Sequence, residues 1–216
     1  MEKKTISKAV LKRLPGYLAY LKGMPESAAP HISATALANA LGMGEVQVRK
    51  DLAMVSDGGR PKIGYLRESL IDDIEQFLGY DNTTDAVLIG AGKLGQALIA
   101  YKGFDEYGLN ILAAFDIAPS KEKTDEGKPI YPIEKLAGFC RTHKVLMGII
   151  TVPAEAAQSV ADQLIAGGIK AIWNFAPTHL DVPQGILVQN ENMATSLAVL
   201  SVHLQAQIKE EKEIKK

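Results

Sequence analysis

The chain has 216 residues, of which 47% are hydrophobic, and a formal net charge of −1. This length and hydrophobic content suit one large or two small folded domains, and no apolar run reaches the roughly 18 residues of a membrane span. We therefore expect a cytoplasmic protein. The single cysteine, Cys140, excludes an internal disulfide and a multi-cysteine metal site, so we expect an inert thiol on a helix.

Positive charge is concentrated at the start of the chain. Residues 1–67 hold 11 Lys and Arg against 5 Asp and Glu, net +6, whereas the other 149 residues hold 13 against 20, net −7. Such asymmetry is typical of a chain whose basic part binds an anionic partner.

The first predicted helix lies within residues 5–22. Its apolar side chains recur at helical spacing from Ile6 to Leu21, and Pro15–Gly16 predicts a bend or break. After a loop, Ser33 is placed to cap a short helix that ends at Leu41.

Another predicted helix follows the glycine-containing turn at residues 42–44. The helix predicted over Glu45–Val55 would bury Val46, Leu52 and Val55 and would expose Gln47, Arg49 and Lys50. This layout is typical of a helix-turn-helix whose second helix enters a major groove.

The segment SDGGRPKIGY at residues 56–65 is glycine-rich and basic, which indicates the wing of a winged-helix domain. The predicted DNA-binding residues are Ser33, Gln47, Arg49, Lys50, Arg60 and Lys62. The alternative is that these charges only solvate an ordinary helix and loop, but the local charge excess favours DNA binding.

The segment VLIGAGKLG at residues 87–95 contains the G-x-G-x-x-G spacing. Ala86–Ile89, which leads into the first glycine, is a predicted buried strand. The chain continues after the glycines as a helix with apolar Leu94, Leu98 and Tyr101. The three glycines would allow a tight turn, close approach of a pyrophosphate and close helix–strand packing. The helix N-terminus would then face the phosphate charge.

A second predicted strand, Ile111–Phe115, ends at Asp116, 21 residues beyond Gly95. A carboxylate at this place accepts hydrogen bonds from the ribose hydroxyls of NAD, and it would repel the 2′-phosphate of NADP. The sequence therefore predicts an NAD(H) site.

Further strands are predicted at 145–150, 169–174 and 186–188, which completes an α/β domain with a parallel, Rossmann-like sheet. The last segment, from Met193 to Ile208, predicts a helix with an apolar stripe. That stripe could pack on the sheet of its own chain or on a second subunit. Helix-turn-helix proteins usually bind paired DNA half-sites as dimers, which favours the second subunit.

Five segments together resemble the Rex family of redox-sensing transcriptional repressors: QVRKDL (47–52), IGY (63–65), VLIGAGKLGQAL (87–98), TVP (151–153) and GIKAIWNFAP (168–177). The resemblance covers nearly the whole chain. It implies a winged-helix domain (1–80), a Rossmann NAD(H)-binding domain (85–190) and a C-terminal helix (191–210) exchanged between two subunits. It also implies a homodimer that binds palindromic double-stranded operator DNA, is released by NADH, and is less affected or even favoured on DNA by NAD+.

The resemblance also implies which residues hold the nucleotide. Gly90, Gly92 and Gly95 would cradle the pyrophosphate with Ala91, Lys93 and Leu94, Asp116 would hold the adenosine ribose, and Ile117 would flank the adenine. The implied crevice and nicotinamide residues are Tyr101, Thr151, Val152, Pro153, Asn174, Phe175, Ala176, Pro177 and Met193.

Two positions depart from the family pattern. Relatives often pair an aspartate at the start of the C-terminal helix with an arginine of the first helix, and Asn192 and Ala19 stand there in this chain. Met193 replaces an aromatic residue of some relatives. We therefore expect this chain to couple its domains through other contacts.

Two other functions stay open. An NAD-dependent oxidoreductase normally needs a second domain to hold its substrate, whereas the rest of this chain is the N-terminal module and one helix. The four histidines are scattered, with no grouping of Ser, Asp or Cys beside them that would form a catalytic triad or metal site. Both observations favour a protein that is not an enzyme. A CoA-binding protein is the other alternative, because NFAPT and the preceding strand also resemble CoA-binding domains, but Asp116 suits the ribose diol of NAD better.

Overall fold

The computed structural model describes residues 7–214, which form two compact units. The first unit contains the residues up to Thr83 together with Glu106–Gly108, and the second contains Thr84–Asp105 together with the residues from Leu109 onward.

Helices dominate the described part of the first unit. Its elements are α1 (Lys8–Gly23), β1 (His31–Ile32), α2 (Ala34–Leu41), α3 (Glu45–Val55), β2 (Tyr65–Leu66) and α4 (Arg67–Leu78). The two short strands pair antiparallel, with Ile32 opposite Tyr65. A single apolar core joins the helices, and its fully buried members include Leu14, Leu37, Val48, Leu52, Leu70 and Ile74.

Of the bend or break predicted at Pro15–Gly16, the break does not occur, since α1 is continuous through Pro15. A proline inside a helix removes one backbone hydrogen bond. Burial of the stripe formed by Val10, Leu14 and Leu18 on both sides of Pro15 offsets that loss. The prediction for Ile6 lies outside the described residues.

The predicted helix pair is confirmed, with one correction to its buried face. Ser33 caps α2 by accepting the Ala36 N–H through its hydroxyl oxygen (3.0 Å), and α3 spans the predicted residues. Val46 was expected in the core, but it is 63% exposed. The face of α3 that packs inward is instead formed by Val48, Asp51 and Leu52.

The second unit is built on a six-stranded parallel sheet. Its elements, with α6 ending in the first unit, are β3 (Thr84–Ile89), α5 (Lys93–Ala100), α6 (Gly103–Glu106), β4 (Leu109–Asp116), β5 (Ile130–Pro132), α7 (Leu136–His143), β6 (Met147–Ile150), α8 (Ala154–Ala166), β7 (Ala171–Asn174), β8 (Leu187–Asn190) and α9 (Met193–Ile214). A 3-10 turn, Ile133–Lys135, precedes α7.

The strand order is β5-β4-β3-β6-β7-β8. Chain order therefore reverses between the β4 and β6 sides of β3, which is the Rossmann order with a switch point at the carboxyl ends of β3 and β6. The sequence did not predict β5, a three-residue edge strand that ends at Pro132. Proline is tolerated there because an edge strand leaves one side unpaired.

Both faces of the sheet are covered by apolar side chains. One cluster packs Val87, Ile89 and Phe115 against α7 and α8, and the other packs Leu88 and Ala114 on the opposite face. Successive residues of a strand point to opposite faces. This two-sided burial explains why residues 86–89 of β3 form an unbroken apolar run.

The predicted stripe on α5 needs correction. Gly95 and Ile99 are its buried residues, whereas Leu94 is 37% exposed and Tyr101, one residue past the helix end, is 51% exposed. The glycine fixes this rotation, because only a residue without a side chain fits against the strand below it.

The last helix, α9, projects its apolar side chains outward. Its exposed apolar residues are Met193, Leu197, Val199, Leu200, Val202, Leu204 and Ile208. Within residues 7–214, no helix is both long and apolar enough to cross a membrane.

Candidate nucleotide site and DNA-binding surface

The glycine loop joins β3 to α5 at the switch point of the sheet. Gly90 has a φ of 101°, a left-handed conformation that favours glycine, and a β-carbon there would lie 2.9 Å from the Thr151 carbonyl oxygen. A β-carbon on Gly95 would lie 2.0 Å from the Gly90 carbonyl oxygen. Gly90 and Gly95 therefore have a structural reason to be glycine.

Gly92 differs from the other two glycines. No atom lies within 4 Å of the position that its β-carbon would occupy. Gly92 is the N-cap of α5, makes no side-chain cap and is exposed with Lys93 and Leu94. The open space is therefore in front of a helix N-terminus, where backbone N–H groups attract a phosphate.

Asp116 lies beside this loop at the end of β4. Its Oδ2 accepts the N–H of Ala91 (2.8 Å) and its Oδ1 accepts the N–H of Ala118 (3.0 Å). The carboxylate is thereby fixed in orientation. Each oxygen still has a lone pair for a ribose hydroxyl. Ile117, which follows it, is 81% exposed.

Two side chains form hydrogen bonds with backbone carbonyl groups at the end of β3 and in the glycine loop. The Thr151 hydroxyl lies 2.9 Å from the carbonyl oxygen of Ile89 and 2.8 Å from that of Gly90. Gln96 donates to the carbonyl oxygen of Ala91 (2.9 Å), a contact that the sequence did not indicate. The crevice residues Val152 and Pro153 follow Thr151, and Pro153 is the N-cap of α8.

The predicted nicotinamide residues of the loop after β7 and of the C-terminal segment divide into two groups. Asn174 is fully buried and its amide is occupied, since it donates to Asn190 Oδ1 (2.8 Å) and to the Thr178 carbonyl oxygen (3.0 Å) and accepts the Ala176 N–H (3.0 Å). It holds the shape of the loop after β7 rather than lining a cavity.

The other group lines a cavity of about 490 Å³ between this loop and the start of α9. Three lining residues were predicted from the pattern of this loop, and Met193 was predicted from the C-terminal segment. The complete lining is Phe175, Ala176, Pro177, Thr178, His179, Asn190, Glu191, Asn192, Met193 and Ala194. The sequence missed the polar members from β8 onward, because nothing local shows that β8 pairs with β7.

Tyr101 belongs to a row of aromatic rings rather than to this cavity lining. Its ring packs edge-on against Phe104 at 4.9 Å, Phe104 packs against Trp173 at 5.6 Å, and Trp173 packs against Phe175 at 4.8 Å. Trp173 also donates to Glu191 Oε1 (2.9 Å). The row therefore joins the end of α5 to the loop after β7.

The first unit carries the predicted DNA-binding residues on α3. Arg49 and Lys50 are exposed, and Arg49 forms an ion pair with Glu45 one turn earlier. Gln47 is also exposed, but its amide donates to Asp51 Oδ1 (2.9 Å). The Gln47 amide is therefore partly occupied by a contact within α3, as the Arg49 guanidinium is by its ion pair with Glu45.

Asp51 is the centre of a buried polar cluster that joins α3 to α1. It is 1% exposed and accepts two hydrogen bonds from Arg13 (2.7 and 2.9 Å) and one from the Tyr17 hydroxyl (2.8 Å). Burial alone would raise the pKa of Asp51, but the hydrogen bonds from Arg13, Tyr17 and Gln47 outweigh it and lower that pKa. Burial and the Asp51 contact raise the pKa of Tyr17 to about 12.

The wing residues lie on an exposed turn. Arg60 pairs with Gly64 through an isolated bridge, with hydrogen bonds of 2.9 Å, and Lys62 between them has a φ of 67°. Arg60 and Lys62 are both exposed. Lys62 is thus presented at the tip of a narrow turn, and Arg60 lies at the bridge that closes it.

Cys140 lies on α7 as expected, 1% exposed, and burial raises the pKa of its thiol to about 11. In the part of the chain that the structure describes, no three His, Cys, Asp or Glu side chains are grouped as metal ligands would be.

Two family models match the chain. Residues 5–53 match the family described as "Putative DNA-binding protein N-terminus", and residues 81–178 match the family described as "CoA binding domain". A curated relative from Porphyromonas gingivalis, named redox-sensing transcriptional repressor Rex, is 41% identical over 196 residues, which is 90% of either chain.

Several solved structures are similar to this chain over nearly its whole length. RSP in complex with β-NAD+ and operator DNA has a TM-score of 0.87 and 33% identity, and covers 99% of both chains. RSP in complex with β-NADH has a TM-score of 0.84 and 33% identity, and covers 97% of this chain and 99% of that one.

Proposed function

The chain belongs to the Rex family of redox-sensing transcriptional repressors, and from this premise we propose that it binds palindromic operator DNA as a homodimer and is released when NADH binds. The observation that carries the proposal is the joint presence in one chain of a basic helix-turn-helix and of a glycine loop with Asp116 beside it. Relatives of this kind are repressors rather than enzymes.

In this proposal residues 1–80 bind DNA, residues 85–190 bind NAD(H) and residues 191–210 dimerise. The open space in front of Gly92 would admit the pyrophosphate, and Asp116 would accept hydrogen bonds from the ribose. A repressor acts on the chromosome, so we place the protein in the cytoplasm, at the nucleoid.

The nucleotide supplies a nicotinamide ring that is neutral in NADH and cationic in NAD+. Asp116 and the glycine loop would contact parts of the nucleotide that the two forms share, so they would bind both forms alike. Discrimination must therefore come from residues near the ring, and Tyr101 and the lining from Phe175 to Met193 are the candidates. A ligand shifts an equilibrium only by its difference in affinity for the two conformations.

The outward stripe of α9 supports the dimer. Met193, Leu197, Leu200 and Leu204 are each more than half exposed, and a stripe of this size on one helix is typical of an interface. We propose that α9 is exchanged between the two subunits. Asn192 and Ala19 replace the family's ion pair, so the coupling between DNA and nucleotide has to use other contacts.

The match of residues 81–178 to a CoA binding domain keeps CoA as the second candidate ligand. The carboxylate of Asp116, fixed by two backbone N–H groups, favours a ribose diol and would repel the 3′-phosphate of CoA. CoA therefore belongs in every nucleotide titration as a competitor.

The deciding experiment is fluorescence anisotropy of labelled duplexes from a palindromic pool at fixed salt, titrated separately with NADH, NAD+ and CoA. We expect release by NADH at concentrations where NAD+ does not release the DNA. Tight DNA binding that is indifferent to all three ligands would contradict the redox response, and absence of DNA binding would restore the oxidoreductase hypothesis.

Calorimetry provides an independent check of the coupling. Linkage requires operator DNA to weaken NADH binding by the same factor by which NADH weakens DNA binding. Equal NADH affinity for the free and the operator-bound dimer would overturn the proposed release.

A further inference from the structure

We infer that Val46 contacts the 5-methyl group of a thymine in the operator, an inference that rests on the proposed DNA-binding function. Val46 lies in the first turn of α3 and is 63% exposed. In helix-turn-helix proteins the N-terminal residues of the second helix contact base edges in the major groove. Val46 thus lies at a helix position whose side chains contact base edges in such proteins.

The periodicity of α3 places Val46 opposite the buried face. At about 100° per residue, Val46 is about 160° around the helix from Val48 and about 120° from Leu52. Lys50 is only about 40° away from Val46, and Ala53 about 20°. Lys50 and Ala53 are both exposed, so they form one outward face with Val46.

The residues around Val46 are charged, which limits the kinds of partner that can bind over its side chain. Lys50 shares its face and the Arg49–Glu45 pair flanks it, within a region of net charge +6 over residues 1–67. A basic surface of this kind docks on an anionic partner, and an aliphatic group in its centre then needs an apolar group opposite. Of the groups that base pairs present in the major groove, the thymine C5-methyl is the apolar one that side chains read.

The contact is tested by removing either methyl partner. Duplexes selected by the full-length protein from a random palindromic pool are resynthesised with deoxyuridine in place of thymine, one position at a time in one half-site. Their affinities are measured by anisotropy for wild type and Val46→Ala at fixed salt. Deoxyuridine differs from thymidine only by the missing methyl group.

At one thymine, or at two neighbouring ones, deoxyuridine should weaken wild-type binding about three- to fivefold, the effect of losing one buried methyl contact. Val46→Ala should bind the thymine and uracil duplexes with equal affinity. The matched control is Met54→Ala, which truncates another exposed apolar side chain (40% exposed) in the last turn of α3 and should keep the uracil sensitivity.

Uracil sensitivity that persists in Val46→Ala, or that appears at no position, would overturn the inference while NADH-responsive operator binding stands. A wild-type chain that selects no duplex would overturn the proposed function together with this inference. The two failures are therefore separated within one set of measurements.

Discussion

Gly95 packs so closely on Gly90 that a β-carbon at residue 95 would lie 2.0 Å from the carbonyl oxygen of residue 90. This contact lets α5 begin directly above β3, so the helix N-terminus faces the end of the sheet. The same contact makes the two outer glycines of the loop structural and leaves Gly92 exposed.

Gly95→Ala and Gly92→Ala should therefore have different effects. The alanine at residue 95 collides with backbone and should lower the free energy of unfolding by about 3 kcal/mol or more. The alanine at residue 92 meets no atom within 4 Å and should leave the melting temperature within a few degrees while weakening NADH binding. Melting curves and calorimetric titrations of both variants check this, and equal melting temperatures would contradict it.

Asp116→Ala should weaken NADH and NAD+ binding by the same factor. The carboxylate would contact the ribose that both nucleotides share, and hydrogen bonds to a charged group contribute about 1.5–3 kcal/mol, or roughly 10- to 150-fold in affinity. Calorimetry with each nucleotide measures both losses. A selective loss of NADH binding would place Asp116 near the nicotinamide instead, and unchanged affinity would remove it from the site.

The glycine loop and the helix pair could be predicted because their signals are local. Gly90, Gly92 and Gly95 stand between an apolar run and a helical stripe, and Ser33 precedes a short helix as a cap does. The face that each helix buries was harder to predict from the sequence, because Val46 and Val48 are both valines and only tertiary packing decides which of them is buried. Asp51 was missed for a related reason, because its partners Arg13 and Tyr17 lie 38 and 34 residues away.

Contacts around β8 were the least predictable part of the candidate site. Asn174 has a side chain that is satisfied by Asn190 and by the backbone of its own loop. A sequence motif such as NFAP therefore indicates a loop of defined shape, but it does not separate the residue that holds the loop from those that line the cavity.

Asp51→Asn should destabilise the first unit by about 3–5 kcal/mol, the usual result of breaking a buried ion pair. Because the folded-state pKa of Asp51 is lowered, its contribution is present above the unfolded value of about 3.9 and is lost as the pH falls further. Unfolding followed from pH 7 to pH 3 should show the difference between variant and wild type shrinking below about pH 4. Asp57→Asn, at an exposed position, is the control, and a constant difference across the whole range would contradict the assignment.

Arg49→Ala should weaken operator binding without changing NADH affinity, and it should reduce the salt dependence of DNA binding by about one phosphate contact. Glu45→Gln should act in the opposite direction, since it removes a negative charge and frees the Arg49 guanidinium from its ion pair. Glu68→Gln, in the first turn of α4, changes the net charge equally and controls for it. Anisotropy over a salt series measures all three, and a simultaneous loss of NADH and DNA binding in Arg49→Ala would indicate misfolding.

Cys140 should react slowly with thiol reagents in the native protein. It is 1% exposed in the apolar core that α7 shares with α8, and burial raises the pKa of its thiol to about 11. The thiolate is the reactive form, so at pH 8 both access and ionisation oppose reaction. A raised pKa also means that stability is lost as the pH rises from the unfolded value of about 8.5 toward 11.

We expect labelling of Cys140 at pH 8 to follow unfolding, fast in denaturant and slow without it. Rapid stoichiometric labelling of the native protein would show that this part of the core opens readily.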